Sequence, residues 1–151
     1  MIIGGNEKTA AMVAAAKKAG AHIEYKNWVD FEKLPSLMAR ADICLAGPFG
    51  DTYQAQYVIT GKQYQYLSMA RPTIVGINEE SSVFSDKKDS LLVPQANANA
   101  LAEAINWGYE HQEELSEIGL AGHTLYEKEL SQKAVNTKLA EVLGRLRPDK
   151  T

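Results

Sequence analysis

Short apolar runs alternate along the chain with longer stretches in which apolar residues recur at helical spacing. MIIGG, HIEYKNWV, DICLAG, PTIVGI and SLLVP have the length and the branched or aromatic content of strands. Between them, NEKTAAMVAAAKKAG, DFEKLPSLMARA, YQAQYVITGKQYQYLSMAR and EESSVFSDK carry helical spacing or helix punctuation. Such an alternation predicts an α/β domain with a Rossmann-like open parallel sheet and helices on both faces. The strands are expected at Ile2-Ile3, Ile23 to Tyr25, Ile43 to Leu45, Thr73 to Val75 and Leu91 to Val93, with near-complete burial of Ile43, Cys44, Ile74 and Leu92. Gly20 is expected to close the first helix, Asp30 to cap the second, and Asn97 to cap the helix beginning ANALAEAI. From Asn97 onward the pattern is helical, with a break expected near Gly119 and Gly122, so a C-terminal helical cover follows the sheet. The domain is expected over residues 1–146, with 147–151 a disordered tail.

Composition narrows the chemistry. With 151 residues the chain suits one domain with a single core, and its formal net charge of -3 gives no sequence-wide basic field for nucleic acid or an anionic membrane. Any anion site must be local. Cys44, the only cysteine, lies in an apolar run and reads as a small core residue; a disulfide framework is excluded. The three histidines, His22, His111 and His123, share no ligand spacing. No apolar stretch approaches the roughly 20 residues that span a bilayer, and the N-terminus carries no signal-peptide pattern, so a cytoplasmic location is expected.

In an open parallel sheet, ligands gather beyond the carboxyl ends of the strands. The loops there are GGNE, KNWVD, AGPFGD and NEESS, none of which carries the dinucleotide or Walker A fingerprint. Asp51 reads as the cap of the helix that follows the third strand. The segment GKQYQYLSMARPTIVG, residues 61–76, is notable because a polar helix start runs almost directly into a buried strand.

Three segments in order, LPSLMARADICLAGP, GKQYQYLSMARPTIVG and SVFSDKKDSLLVPQANANALAEAI, resemble the C-terminal, donor-binding half of GT-B retaining glycosyltransferases of the family 4 group. The matching pieces are Leu34 to Asp42, Lys62 to Pro72, and Ser90 to Pro94 running into Ala100 to Ile105. The resemblance implies one half of a GT-B fold that binds a nucleoside diphosphate sugar as substrate, without a cofactor or an essential metal. It implies donor nucleotide contacts at Trp28 (base), Gly50, Thr60, Gly61 and Lys62 (diphosphate) and Gln65 (ribose), with Tyr57 at the donor sugar. The family usually has glutamates where Gln65 and Tyr57 stand, so the paired acids are absent here. No catalytic residue is assigned to this half.

An acceptor-binding N-terminal domain is expected to be missing from the chain, and any membrane association would belong to that half. The final helix, with Leu139, Val142, Leu143 and Leu146, is then expected to have an uncovered apolar face. Alternatives on the same pattern are a non-catalytic nucleotide-binding or interaction module, a sugar-nucleotide epimerase half, and a flavodoxin-like protein unrelated to sugars.

Overall fold

A computed structural model of the chain describes residues 1–146; the tail expected over 147–151 lies outside the described residues. The chain divides into two compact units, one spanning Met1–Leu37 and a second beginning at Met38.

In the first unit β1 (Ile2–Ile3) pairs in parallel with β2 (Tyr25–Lys26), the Ile2 and Gly4 N–H groups donating to Glu24 and Lys26 carbonyls at 2.8 and 2.9 Å. Between them runs α1 (Glu7–Lys18), capped by the Asn6 side chain, which accepts from the Thr9 N–H at 3.2 Å. Gly20, at φ +95°, terminates α1 as expected, since this left-handed conformation costs a residue without a Cβ nothing. β2 starts later than expected, leaving Ile23 before it. A 3-10 turn, Phe31–Lys33, runs into α2 (Leu34–Met38). Asp30 does not cap that turn with its side chain; its carboxylate instead pairs with Lys33 at 2.7 Å.

The second unit holds three parallel strands in sequence order: β3 (Cys44–Gly47), β4 (Thr73–Ile77) and β5 (Leu91–Pro94). Their period-2 alternation sorts the core. Ile74, Leu91 and Val93 face one side and pack against α4 (Ala98–Glu110) and α5 (Gln112–Leu125), through Leu101, Ala104, Leu115 and Ile118. Val75 and Leu92 face the other, against Leu67 of α3 (Gly61–Ser68), Phe84, and Tyr126 and Leu130 of a π-helical turn. Burial on both faces is why these strands read as continuous apolar runs. Ile74 and Cys44 are buried as expected, whereas Ile43 and Leu92 are only half-buried. Ile43 precedes β3 and reaches sideways toward α4, and Leu92 sits on the edge strand, where cover is partial.

The edge at β5 is closed to further strands. The Leu92 N–H donates to Asp86 Oδ1 at 2.8 Å, and Pro94, the next position of the same orientation, has no N–H to offer.

The expected helix break near Gly119 and Gly122 does not occur: α5 runs through both, and the interruptions fall at His111 and Ser131. The glycines serve close approach. A Cβ at Gly119 would lie 2.5 Å from the Ala70 carbonyl oxygen, and one at Gly122 2.6 Å from that of Asp89. Asn97 caps α4 as expected, accepting from the Ala100 N–H at 3.0 Å. Along α6 (Gln132–Leu146), Val135, Leu139, Val142 and Leu143 form one apolar stripe with each side chain about half exposed. The side chain of Leu146 lies outside the described residues. No helix among the described residues is long and apolar enough to cross a membrane.

Two predictions follow from this packing. Gly119→Ala improves helix propensity but must push α5 off the Ala70 carbonyl, so a net loss of about 1–2 kcal/mol is expected in urea unfolding. For Cys44, burial outweighs the pull of Arg71 and pushes the thiol from 9.0 up to about 11. The native state then holds a proton that the unfolded chain has lost between those values, so stability falls as pH rises through that window. Relative to Cys44→Ala, wild type should lose about 1–2 kcal/mol from pH 9 to 11, after allowing for solvent screening. Parallel pH dependence of the two proteins would show that the thiol contributes nothing.

Candidate functional site

At the carboxyl end of the three-stranded sheet, side-chain amides hold the loops in place. The loop after β3 crosses directly over β4: a Cβ on Gly76 would lie 1.8 Å from the Pro48 carbonyl oxygen, so only glycine fits there. Gln95, just past β5, donates from Nε2 to the carbonyls of Pro48 and Ala55 at 3.2 and 3.0 Å. Its Oε1 accepts from Gln56 Nε2 at 2.7 Å. Asn78, just past β4, donates from Nδ2 to the carbonyls of Ala55 and Val58 at 2.8 and 2.9 Å. Two strand ends therefore grip the 3-10 helix Tyr53–Tyr57 from beneath, through the buried Ala55. Thr52, rather than Asp51, caps this helix, its hydroxyl oxygen accepting from the Ala55 N–H at 3.3 Å. Asp51 is exposed.

The start of α3 is tied to the third strand in the same way. Thr60 occupies the cap position with extended backbone, and its N–H donates to Gln63 Oε1. Gln63 Nε2 donates to the Gly47 carbonyl at 3.1 Å, and the Thr60 hydroxyl donates to the Ala46 carbonyl at 2.9 Å. Gln63 is only 1 % exposed, and both ends of its amide are satisfied, as a buried amide requires. The polar helix start of residues 61–76 thus has two parts. Thr60 and Gln63 turn inward to fasten the helix to β3, while Gly61, Lys62 and Gln65 turn outward and are exposed.

The first N–H groups of an α-helix have no helical carbonyl to bind and carry the positive end of the helix dipole. Gly61, the first residue of α3, is exposed, and a Cβ built on it would meet no atom within 4 Å. The first turn contains no acidic residue, and Lys62 adds a full positive charge beside it. Lys62 takes part in none of the ion pairs among the described residues. A helix start so arranged suits an anion with several oxygens. Tyr64 and Tyr66, on the same helix, are half-buried, and burial raises the Tyr66 phenol above its ordinary value.

The remaining residues singled out from sequence fall as follows. Gly50 is exposed in the loop after β3, with open space where a Cβ would stand. Tyr57, at the end of the 3-10 helix, is 56 % exposed and lies in tilted contact with Tyr53, ring centroids 5.3 Å apart. Trp28 belongs to the first unit, in the loop after β2, and is 79 % exposed. The structure thus brings Gly50, Tyr57, Thr60, Gly61, Lys62 and Gln65 to one end of one sheet. Among the described residues, no three His, Cys, Asp or Glu side chains gather to hold a metal ion.

Sequence reasoning missed Gln63, Asn78 and Gln95. Gln63 was detectable, because Thr60-x-x-Gln63 is the pattern of a capping box. Asn78 before Glu79-Glu80-Ser81 carries a weaker cap signal, and Asn78 does accept from the Glu80 N–H at 3.1 Å. Gln95 has none, since its partners Pro48 and Ala55 lie far off in sequence.

Comparison with known proteins identifies the fold and the family. The fold is that of sucrose-phosphate synthase from Thermosynechococcus elongatus (TM-score 0.74, 16% identity), with 96% of this chain aligned to 38% of that one. HepE of Anabaena, solved in complex with UDP, matches with a TM-score of 0.74 and 14% identity over 96% of this chain and 40% of its own. The C-terminal domain of the group 1 glycosyl transferase LpcC from Francisella tularensis matches at 0.66 and 12% identity, over 83% of this chain and 64% of that domain. The chain therefore spans about two-fifths of the length of the first two. At these identities the likeness establishes the architecture, a Rossmann-like α/β half of a GT-B fold. No curated protein matches. The family model for glycosyl transferases group 1 matches residues 1–111, nearly three-quarters of the 151 residues, and the chain belongs to that family.

Proposed function

We propose that the chain is the donor-binding half of a glycosyltransferase that moves a sugar from a nucleoside diphosphate sugar to an acceptor with retention of anomeric configuration. The observation that carries this reading is the start of α3, an acid-free helix N-terminus with exposed Gly61 and Lys62, following the carboxyl end of β3 in a parallel sheet. Family membership supports it, as does the likeness to HepE, which was solved with UDP and with UDP-glucose.

In this reading the diphosphate lies against the N–H groups of Gly61 and Lys62 and the Lys62 ammonium, with Gly50 offering a further backbone donor. These groups stand ready before the reaction and favour the charge that gathers on the departing diphosphate. Gln65, one turn along α3, offers the ribose hydroxyls both a donor and an acceptor, and Tyr57 contacts the donor sugar. Thr60 has its hydroxyl proton committed to Ala46, so it positions the helix start and leaves phosphate contact to its neighbours. The acceptor is bound by a second domain of the intact enzyme, and the uncovered apolar stripe of α6 supports such a partner domain.

Tyr57 and Gln65, neutral where the family usually has acids, favour a second reading in which the module binds partners without transferring sugar. Calorimetry with UDP, GDP and ADP separates the two, because saturable binding of one of them is expected only of the donor site. Lys62→Ala should then weaken that nucleotide by about tenfold to a hundredfold, or about 1.5–3 kcal/mol, with little effect on folding. Gln65→Glu should tighten binding or leave it unchanged if the ribose lies there, whereas Coulomb repulsion alone would weaken it. Unchanged affinity in Lys62→Ala would remove the diphosphate from the α3 start.

A further inference from the structure

Tyr53 and Tyr57 present a large aromatic surface to water, 83 % and 56 % exposed, in contact with each other. Scattered exposed aromatics are ordinary, but this pair touches ring to ring on backbone that side-chain amides fasten at Ala55 and Val58. The 3-10 helix between the two rings is pinned at the Ala55 carbonyl by Asn78 and Gln95 together, and the next turn is pinned at Val58 by Asn78. From there the chain is fastened again at Thr60, so the path from the ring pair to the α3 start is tied at successive points. Only Val58, Ile59 and Thr60 separate Tyr57 from Gly61, which keeps their Cα atoms within roughly 14 Å even for fully extended chain.

An exposed aromatic pair on fastened backbone, its rings tilted 57° to each other and a few residues from the α3 start, suits a ligand with a charged end and an apolar face. A hexopyranose linked to a diphosphate is such a ligand: its hydroxyls point mainly outward from the ring edge, and its axial C–H bonds lie against an aromatic face. We infer that Tyr53 and Tyr57 form a stacking platform for the hexose ring of the donor. The inference rests on the donor-site reading and adds to it a mode of recognition. The ring is selected by its C–H face, through aromatic contact, where a carboxylate would select it by its hydroxyls. Tyr53, which sequence reasoning passed over, is as much a part of this surface as Tyr57. Stacking needs the ring and not the phenol hydroxyl, which separates it from hydrogen bonding by tyrosine.

The test compares paired probes on the 151-residue chain: UDP with UDP-glucose, GDP with GDP-mannose and ADP with ADP-glucose, by calorimetry. For the pair that binds, the hexose should raise affinity over the bare nucleotide in the wild type. Tyr57→Ala and Tyr53→Ala should each reduce that increment by about threefold to tenfold while leaving the bare nucleotide unaffected. Tyr57→Phe should retain it. An increment that survives both alanine variants, or the absence of any increment while the bare nucleotide still binds, overturns the platform and leaves the donor-site reading intact. Loss of the increment in Tyr57→Phe assigns a hydrogen bond in place of stacking and overturns it equally. If no nucleotide binds, the donor-site reading fails, and the platform with it.

Discussion

The amide of Gln63 is the contact on which the site depends. It lies in the core with one end accepting from the Thr60 N–H and the other donating to the Gly47 carbonyl, so it joins the first turn of α3 to the last residue of β3. An unpaired amide in that position would cost more than the pairing contributes, which makes the arrangement close to all-or-none. With it formed, the helix start cannot move relative to the strand end without leaving buried polar atoms unsatisfied. Asn78 and Gln95 repeat the device from β4 and β5, reaching the carbonyls of the intervening loop. Neutral amides suit this work because each is both donor and acceptor, and they do not oppose the positive field at the helix start as carboxylates would.

Behind this layer, the sheet and helices meet through close approach as well as apolar packing. Gly76 admits the Pro48 carbonyl over β4, Gly108 admits Ile43 against α4, and Gly119 and Gly122 bring α5 down on the turns flanking β4 and β5. Glycine in a helix interior costs about 1 kcal/mol against alanine, so the three helical positions, Gly108, Gly119 and Gly122, indicate that close approach matters more here than local propensity. Because α5 lies this close to Ala70 and Leu67, it supports α3 from the end opposite the candidate site, and His123 of α5 meets the Leu67 carbonyl at 3.1 Å. The helix that opens the site is therefore held at both ends.

Much of the fold was legible because the strands are short, apolar on both faces and separated by capped helices. Thr73-Ile74-Val75 and Leu91-Leu92-Val93 fall where the alternation puts them, and Asn97 caps as its position before ALAEAI implies. The readings that failed are those in which one local signal competes with a distant contact. Gly119 and Gly122 read as a helix break because sequence does not show the carbonyls they approach. Asp51 read as a cap when the neighbouring Thr52 was equally suited and took the role. At the site, Lys62 and Gln65 were legible as an exposed polar turn, but the residues that set its geometry are buried or half-buried amides bonded across 16 to 47 positions. Gln63 left a local trace because its second bond is to Thr60, and Asn78 a weaker one because it also caps the turn that follows it; Gln95 left none.

The absence of an acid in the first turn of α3 bears on more than ribose recognition. A carboxylate at position 65 would lie about one turn from the helix start, near enough to offset part of the positive potential that the dipole and Lys62 create there. With Gln65 there, no negative side chain of the first turn or of position 65 offsets that field. Tyr57 likewise brings no negative charge and supplies exposed aromatic surface, in contact with Tyr53. Both residues are neutral, so a donor site at this end of the sheet would rely on helix-start electrostatics for the phosphates and on contact area for the ring. A donor site built this way would hold its ligand by the parts that every nucleoside diphosphate hexose shares, and would discriminate between sugars chiefly by the shape of the C–H face.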